Sequence, residues 1–393
     1  MLEKCLKSLL VLAFSLFLTV SSTSVFAQHK EEVKTEEQGK EPKEGLNMKE
    51  VIFGHIMDGH EFHFFGYSLP LPVLLYSPER GFSSFMSSNL KHGHEEYNGY
   101  LLLNEHNIKE LGLDAKKFTA GKIVAVKDGK LDEATKVYDF SLTRNVVQML
   151  LALIILVWIM TSIAKKYKSG QGVTSAPKGM QSLIEPVVAF VRDEVANPNL
   201  GYKANKYLPY LLTIFFFILI NNIFGLIPGS ANVTGNIAFT LVLGVISFIV
   251  TIASSNKHYW GHIFNPPGVP LGVKFILVPV EFLSMFLKPF SLIIRLFANM
   301  VAGHIIIICL VALIFIFGEK MGPVAGWGAS PLSLAFTIFI YFIEVLVAFL
   351  QAFIFTTLTA VLVGSAIEGD HHHEGHNSHD NENGLYDDAV IVL

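Results

Sequence analysis

"SLIIRLFANMVAGH", residues Ser291 to His304, lies inside a long apolar stretch and yet carries Arg295, Asn299 and His304. Placing an arginine in hydrocarbon costs roughly 2.5–3.5 kcal/mol on insertion scales. Its pKa lies above about 12, so it cannot shed the charge to escape that cost. A permanent cation in such a run is either an interfacial residue or a group with a task, and the surrounding sequence decides which.

Working outward, the 393-residue chain is 51% hydrophobic and only 16% charged, against about 25% charged for a soluble domain. Mean hydropathy is +0.48. The composition is that of a polytopic membrane protein. A net charge of −4 supplies no basic field for nucleic acid. Two cysteines, Cys5 and Cys309, build no disulfide framework.

Five stretches are long and apolar enough to cross a core of ~30 Å at ~1.5 Å per residue. They are Val146–Ile163, Leu208–Ile227 with Asn221 and Asn222, Ile237–Ala253, Val273–Phe317 interrupted by Pro279 and Pro289, and Leu332–Ile367. The last two, about 45 and 36 residues long, exceed the ~20 a perpendicular span needs. They are expected to tilt strongly, kink or run partly in the membrane plane. Lys165, Lys166, Lys168, Lys178, Arg192, Lys203 and Lys206 outnumber Glu185, Asp193 and Glu194 in the segment 165–206, which places it in the cytoplasm. The turn 228–236 is uncharged and fits the outside. Five crossings then leave the C-terminus inside.

The start of the chain agrees. Lys4 and Lys7, the apolar run Leu9–Val20 and the small residues ending at Ala27 read as a secretory signal over 1–27, with a retained signal anchor as the alternative. Residues 28–140 are then exported. The part to about 46 is charged and without aromatics, and a small α+β region follows. Here "EFHFFGY", "LPVLLYSPERGF" and "GYLLLNEHN" read as strands and turns, and "NIKELGLDAKKF" as a short helix. Its histidines (His55, His60, His63, His92, His94, His106) fit no zinc spacing, so neither a metal nor a cofactor is expected. Residues 141–367 form the membrane domain, and 368–393, with "DHHHEGHNSHD", a disordered cytoplasmic tail rich in His and acids. The fold class is an all-α polytopic membrane protein with five transmembrane elements and a small exported α+β domain.

Glu281, Lys288 and Arg295 recur every seven residues, on one stripe of a helix. Glu281 and Lys288 also read as solvated residues at the cytoplasmic interface; Arg295 lies deeper. His304 stands nine residues beyond Arg295, ~13 Å further along and about half a turn round. In the last stretch Gln351 follows Glu344 by seven residues, ~10 Å further on and on nearly the same face. Packed antiparallel, the two elements align Arg295 with Gln351 and His304 with Glu344. A histidine titrates near 6.5 and a desolvated carboxyl rises toward it, so such a pair passes protons near neutral pH. The alternative is a structural His–Glu pair joining two helices. Asn299, Asn221 and Asn222 read as interhelical hydrogen-bonding groups or as the lining of a watery cavity. Arg295 has no acid within a turn on its own helix, so its candidate partners are Gln351, water or a carboxylate on another protein.

"RLFANMVAGH", "LQAFIFTTLTAVLVG" and "PYLLTIFFFILINNIFGLIPGSANVTGNIAFTLVL" resemble subunit a of the rotary F-type ATP synthases, over about residues 140 to 367. The resemblance implies a stator in which Arg295 faces a carboxylate of the c-ring, with Asn299 and Gln351 lining the same region. It also implies a b-subunit peripheral stalk, an F1 catalytic head reached indirectly, and residence in the cell inner membrane. Many bacterial members carry Glu at the place of His304 and His at the place of Glu344. This chain has the exchanged order, similar to the mitochondrial branch, and so keeps one His and one Glu at that level. Ile293 stands where the family usually has a small residue, which is expected to alter packing against the ring. Glu281 is the candidate for the inner half-channel. No G-x-x-x-x-G-K-[ST] loop is present, so the chain is expected to be non-catalytic. A secondary ion-coupled transporter is the alternative; it would usually show paired repeats with broken helices, and the sequence shows no such repeat.

Overall fold

The computed structural model describes residues 58–64, 67–93, 95–110, 118, 121–127, 130–132, 135–172, 174–227 and 229–367. The expected leader, the charged segment after it, His55, His94 and the tail from 368 lie outside the described residues. The chain divides into two compact units, one holding residues 59–143 and the other 144–367 with Asp58.

In the first unit, alternating apolar residues make short antiparallel strands. β1 (Glu61–Phe64) and β2 (Tyr67–Pro70) form one hairpin. β3 (Pro72–Ser77) and β4 (Gly81–Met86) form a second, in register from Pro72↔Met86 to Ser77↔Gly81. β5 (Tyr100–Leu102), β6 (Ile123–Lys127) and β7 (Lys130–Leu131) form a third sheet, and β8 (Tyr138–Asp139) pairs with the free edge of β3. Val73, Leu75, Phe85, Leu90, Tyr100, Ile123 and Ala125 close the core. The short helix α1 runs Glu105–Glu110, starting earlier than the expected "NIKELGLDAKKF". Asn104 sets the start: its Oδ1 accepts the Asn107 N–H at 2.7 Å, satisfying a first-turn donor. Residues 111–117 of the expected helix lie outside the described ones.

The second unit is helical. α2 covers Arg144–Lys168, and α3 (Met180–Phe190) leads through a π-helical turn into α4 (Asn197–Leu200). α5 is Ala204–Gly225, and α6 is Ile237–Ser254, capped by Asn236 Oδ1 accepting from Ala238 N–H at 2.9 Å. α7 is Lys257–Phe264. α8 (Leu271–Met321) and α9 (Pro323–Ile367) complete it. Five helical stretches among the described residues are long and apolar enough to span a bilayer.

Two sequence expectations change. Pro279 and Pro289 do not interrupt the fourth stretch, because α8 is one helix of 51 residues through both. Each proline removes one N–H, a loss that membrane helices tolerate by local adjustment and neighbouring groups. The last helix begins at Pro323 rather than Leu332. Gly322, at φ 91°, makes the turn, and proline fits the first helical position because its missing N–H would have no partner there. Just beyond the turn, Gly318 and Gly326 let α8 and α9 meet backbone to backbone. Leu292 and Leu296 of α8, Phe215 and Ile218 of α5, and Ala352 and Phe355 of α9 share one buried core, which holds these three helices around the polar residues below.

Candidate functional site

Arg295 sits on the seam of α8. Leu292 and Leu296 beside it are fully buried, while Ser291, Ile294, Ala298 and Asn299 are exposed. Its guanidinium, half-buried, makes no hydrogen bond or ion pair among the described residues. Behind it, Asn299 Nδ2 donates to Gln351 Oε1 at 3.0 Å. Gln351 is thus brought to Asn299, one turn beyond Arg295, and not to Arg295 itself. At this level the pairing differs by that turn from the one read off the sequence.

At the second level the departure is a single residue and runs the other way: Glu344 meets position 303 instead of 304. Glu344, 9% exposed, lays its carboxylate against Gly303, where a β-carbon would collide with it. The His304 ring turns toward the carbonyl of Gly225 at the end of α5. That carbonyl belongs to the last turn of a helix and has no partner farther along it. His304 and Glu344 therefore occupy neighbouring positions without a direct hydrogen bond. Asn222 Nδ2 donates to Ala348 O at 3.1 Å, midway between Glu344 and Gln351 on α9. Asn221 Nδ2 donates to Phe217 O within its own helix. Four contacts thus knit α5, α8 and α9 into one polar cluster: Asn222 with Ala348, Gly225 with His304, Gly303 with Glu344, and Asn299 with Gln351. Within it, Asn221 Oδ1, Asn222 Oδ1, His304 Nδ1, Glu344 Oε2 and Gln351 Nε2 are buried without a partner. Native proteins pair buried polar atoms with protein or water, so orphans gathered in one place mark hydration or function.

Glu281 lies apart from this cluster, near α7, with His262 Nδ1 3.5 Å from its Oε1; Lys288 is exposed. Ile293 corrects an expectation: it is 8% exposed and fills the space over Gly244 of α6, so its bulk points into the helix bundle and not outward. Sequence reasoning missed three groups. Gln148, in the first span, holds both polar groups of Ala231, accepting from its N–H at 2.8 Å and donating to its carbonyl at 2.5 Å. Asn232 Nδ2 donates to Met300 O at 3.3 Å. A polar residue within an apolar span was the available sign for Gln148, whereas Gly303 reveals its role only through Glu344. Among the described residues no three metal-ligating side chains come together.

Five apolar helices, three of them packed around a polar cluster, define a multi-pass membrane protein. The chain belongs to the ATP synthase A chain family, whose model matches residues 146–364. It is 47% identical over 244 residues to ATP synthase subunit a of Chloroherpeton thalassium, covering 61% of this chain and 71% of that one. It is 44% identical to ATP synthase subunit a 2 of Chlorobaculum tepidum, covering 61% and 67%. Subunit a of Anaeromyxobacter dehalogenans is 38% identical over 262 residues, 64% of this chain and 62% of that one. Residues 51–140 match a domain of unknown function (DUF8433).

Proposed function

We propose that the chain is the stator through which protons pass between two half-channels and a rotating c-ring, coupled to ATP synthesis. The observation that carries this reading is Arg295, a half-buried cation with no partner among the described residues, on the open seam of α8. Ser291, Ala298 and Ala302 around it are small and exposed, which lets another helix approach closely. A carboxylate passing within about 4 Å of the guanidinium gains ~4 kcal/mol at an effective dielectric of ~20. That exceeds the ~2.5–3.5 kcal/mol insertion cost, and it favours release of the proton the carboxylate carried. Asn299 and Gln351 buttress this point. His304, Glu344, Asn221 and Asn222 serve the outer half-channel, and Glu281 the inner one. The chain performs no catalysis of its own. Its partners are the c-ring, the b-subunit stalk and, indirectly, the F1 head. It resides in the inner membrane with α8 and α9 strongly tilted, residues 28–140 exported, and the C-terminus in the cytoplasm.

Substitution of Arg295 tests the reading. Arg295→Lys keeps a charge but loses the planar fork and the fixed protonation, and is expected to assemble and to abolish ATP synthesis. Arg295→Ala is expected to let protons leak through membranes stripped of the catalytic head. Near-normal synthesis in either variant would reduce Arg295 to a structural cation and end the proposal.

A further inference from the structure

A polar stripe on α8 reaches beyond the cluster described above. Glu281, Ser284, Lys288, Ser291 and Arg295 follow one another at steps of three and four residues, which places them on one face of the helix. None of them is buried. At the end of the stripe far from Arg295, α7 packs against α8. The ring centroids of Phe264 and Phe282 are 6.1 Å apart, and those of Phe282 and Phe286 are 5.2 Å apart. Ile263 is buried, and Lys274 Nζ donates to Asn265 Oδ1 at 2.5 Å between the two helices. This packing holds His262 Nδ1 3.5 Å from Glu281 Oε1, with the imidazole half exposed and the carboxylate about one-third exposed. An exposed pair of this kind contributes little to stability, so its chemistry is the more informative property.

We propose that His262 passes protons between cytoplasmic water and Glu281 at the mouth of the inner half-channel, a proposal that rests on the stator reading above. At neutral pH free protons are scarce and an ordinary carboxylate holds few of them, whereas histidine, titrating near 6.5, binds and releases them there. During ATP-driven pumping Nε2 of His262 takes up a proton from water or buffer, and Nδ1 gives its own to Glu281 Oε1. The carboxylate becomes a carboxylic acid, the imidazole returns to neutral with its proton on Nε2, and rotation of the exposed ring resets it. The proton goes on through the inner half-channel to the ring carboxylate, and in synthesis the order reverses. The other titratable groups around the pair are Lys257 and His258 in the first turn of α7, Tyr259, which stands near Glu281, Lys274 beside Asn265, and Lys288 along the stripe. The end of α9 over residues 360–367, which α7 also meets, carries no titratable group.

The test measures initial rates of ATP-driven proton pumping in inverted membrane vesicles that hold the whole complex, where the cytoplasmic face meets the medium. In weakly buffered medium at neutral pH, His262→Ala is expected to pump about tenfold more slowly than the native protein. His262→Gln, which keeps a hydrogen-bond donor but binds no proton at that pH, is expected to match it. Imidazole added to the medium is expected to restore most of the rate in His262→Ala, measured against native vesicles in the same medium. Pyrazole, of the same shape but not basic at neutral pH, is expected to restore none. With Glu281→Gln added, imidazole no longer helps. A native rate in either single variant would overturn the proposal. So would a deficit that imidazole leaves in place or pyrazole relieves equally, or a rescue that survives Glu281→Gln. Failure of the stator reading shows elsewhere, as ATP synthesis surviving in Arg295→Lys, so the two failures are distinguishable.

Discussion

At the scale of single residues, the polar cluster depends on what its neighbours leave room for. Glu344 reaches its place because residue 303 has no side chain. Gly303→Ala would push the carboxylate away from α8, an overpacking that typically costs 1–3 kcal/mol. The expected outcome is an assembled protein whose ATP-driven proton pumping falls about tenfold, with Glu344→Gln at least as slow. Pumping at the normal rate in Gly303→Ala would show that the position of Glu344 does not matter to transport. Asn299 and Gln351 show the same dependence from the other side. Their hydrogen bond connects residues 52 positions apart, and only packing of the two helices decides that Gln351 meets Asn299 and not Arg295.

At the scale of elements, α6 and α8 meet where the large Ile293 lies over Gly244. Gly244→Ala is expected to lower the stability of the purified protein by about 1–3 kcal/mol, through the collision of its methyl group with Ile293. Ile293→Val, which removes one methyl group, is expected to cost about 0.5–1.5 kcal/mol alone and to recover part of the loss in the double variant. Thermal unfolding of the four proteins gives the coupling energy. Strict additivity would mean that the two side chains do not compete for one space. The reach of α8 is also an element-level outcome. Its 51 residues stretch ~77 Å if straight, more than twice the ~30 Å hydrocarbon core. The two prolines read from the sequence as breaks do not shorten it.

At the scale of the whole molecule, the first unit carries its own pH-dependent contact. His60 Nε2 lies 3.2 Å from Asp139 Oδ2, joining the start of the unit to β8. Burial pushes the Asp139 carboxyl up, but hydrogen bonds from His60 and Ser141 together outweigh it and hold the carboxyl below its usual range. A folded pKa below the unfolded value of about 3.9 stabilises the fold above that pH. The stabilisation is lost as pH falls through the folded pKa. Asp139→Asn is therefore expected to weaken this unit by about 1 kcal/mol at neutral pH, a modest figure because the pair is partly screened by solvent. The difference should vanish well below pH 4. Hydrogen exchange of the β3 and β8 amides in the full chain, followed against pH, measures it; a deficit that persists in acid would assign the effect to packing instead.

Local sequence by itself determined the helices, because apolar runs of this length have no other stable form in lipid, where every backbone group must be satisfied within the segment. The boundaries of α6 follow from Asn236 and the end of its apolar run. The family, too, was carried by contiguous motifs around Arg295 and Gln351, and so were the polar residues inside the apolar runs. What only the tertiary structure decided is how those residues meet. α8 and α9 turn at Gly322 and touch at the glycine pair Gly318 and Gly326, and the contacts of Gly303 with Glu344 and of Asn299 with Gln351 appear only once the two helices are packed. The inward placement of Ile293 is set by the hollow over Gly244, and the seat of Glu344 by the missing side chain at 303. A helix's own sequence specifies which residues share a face. It does not specify the rise at which a second helix stops sliding against it, and that is settled by the shapes of side chains far apart in the chain.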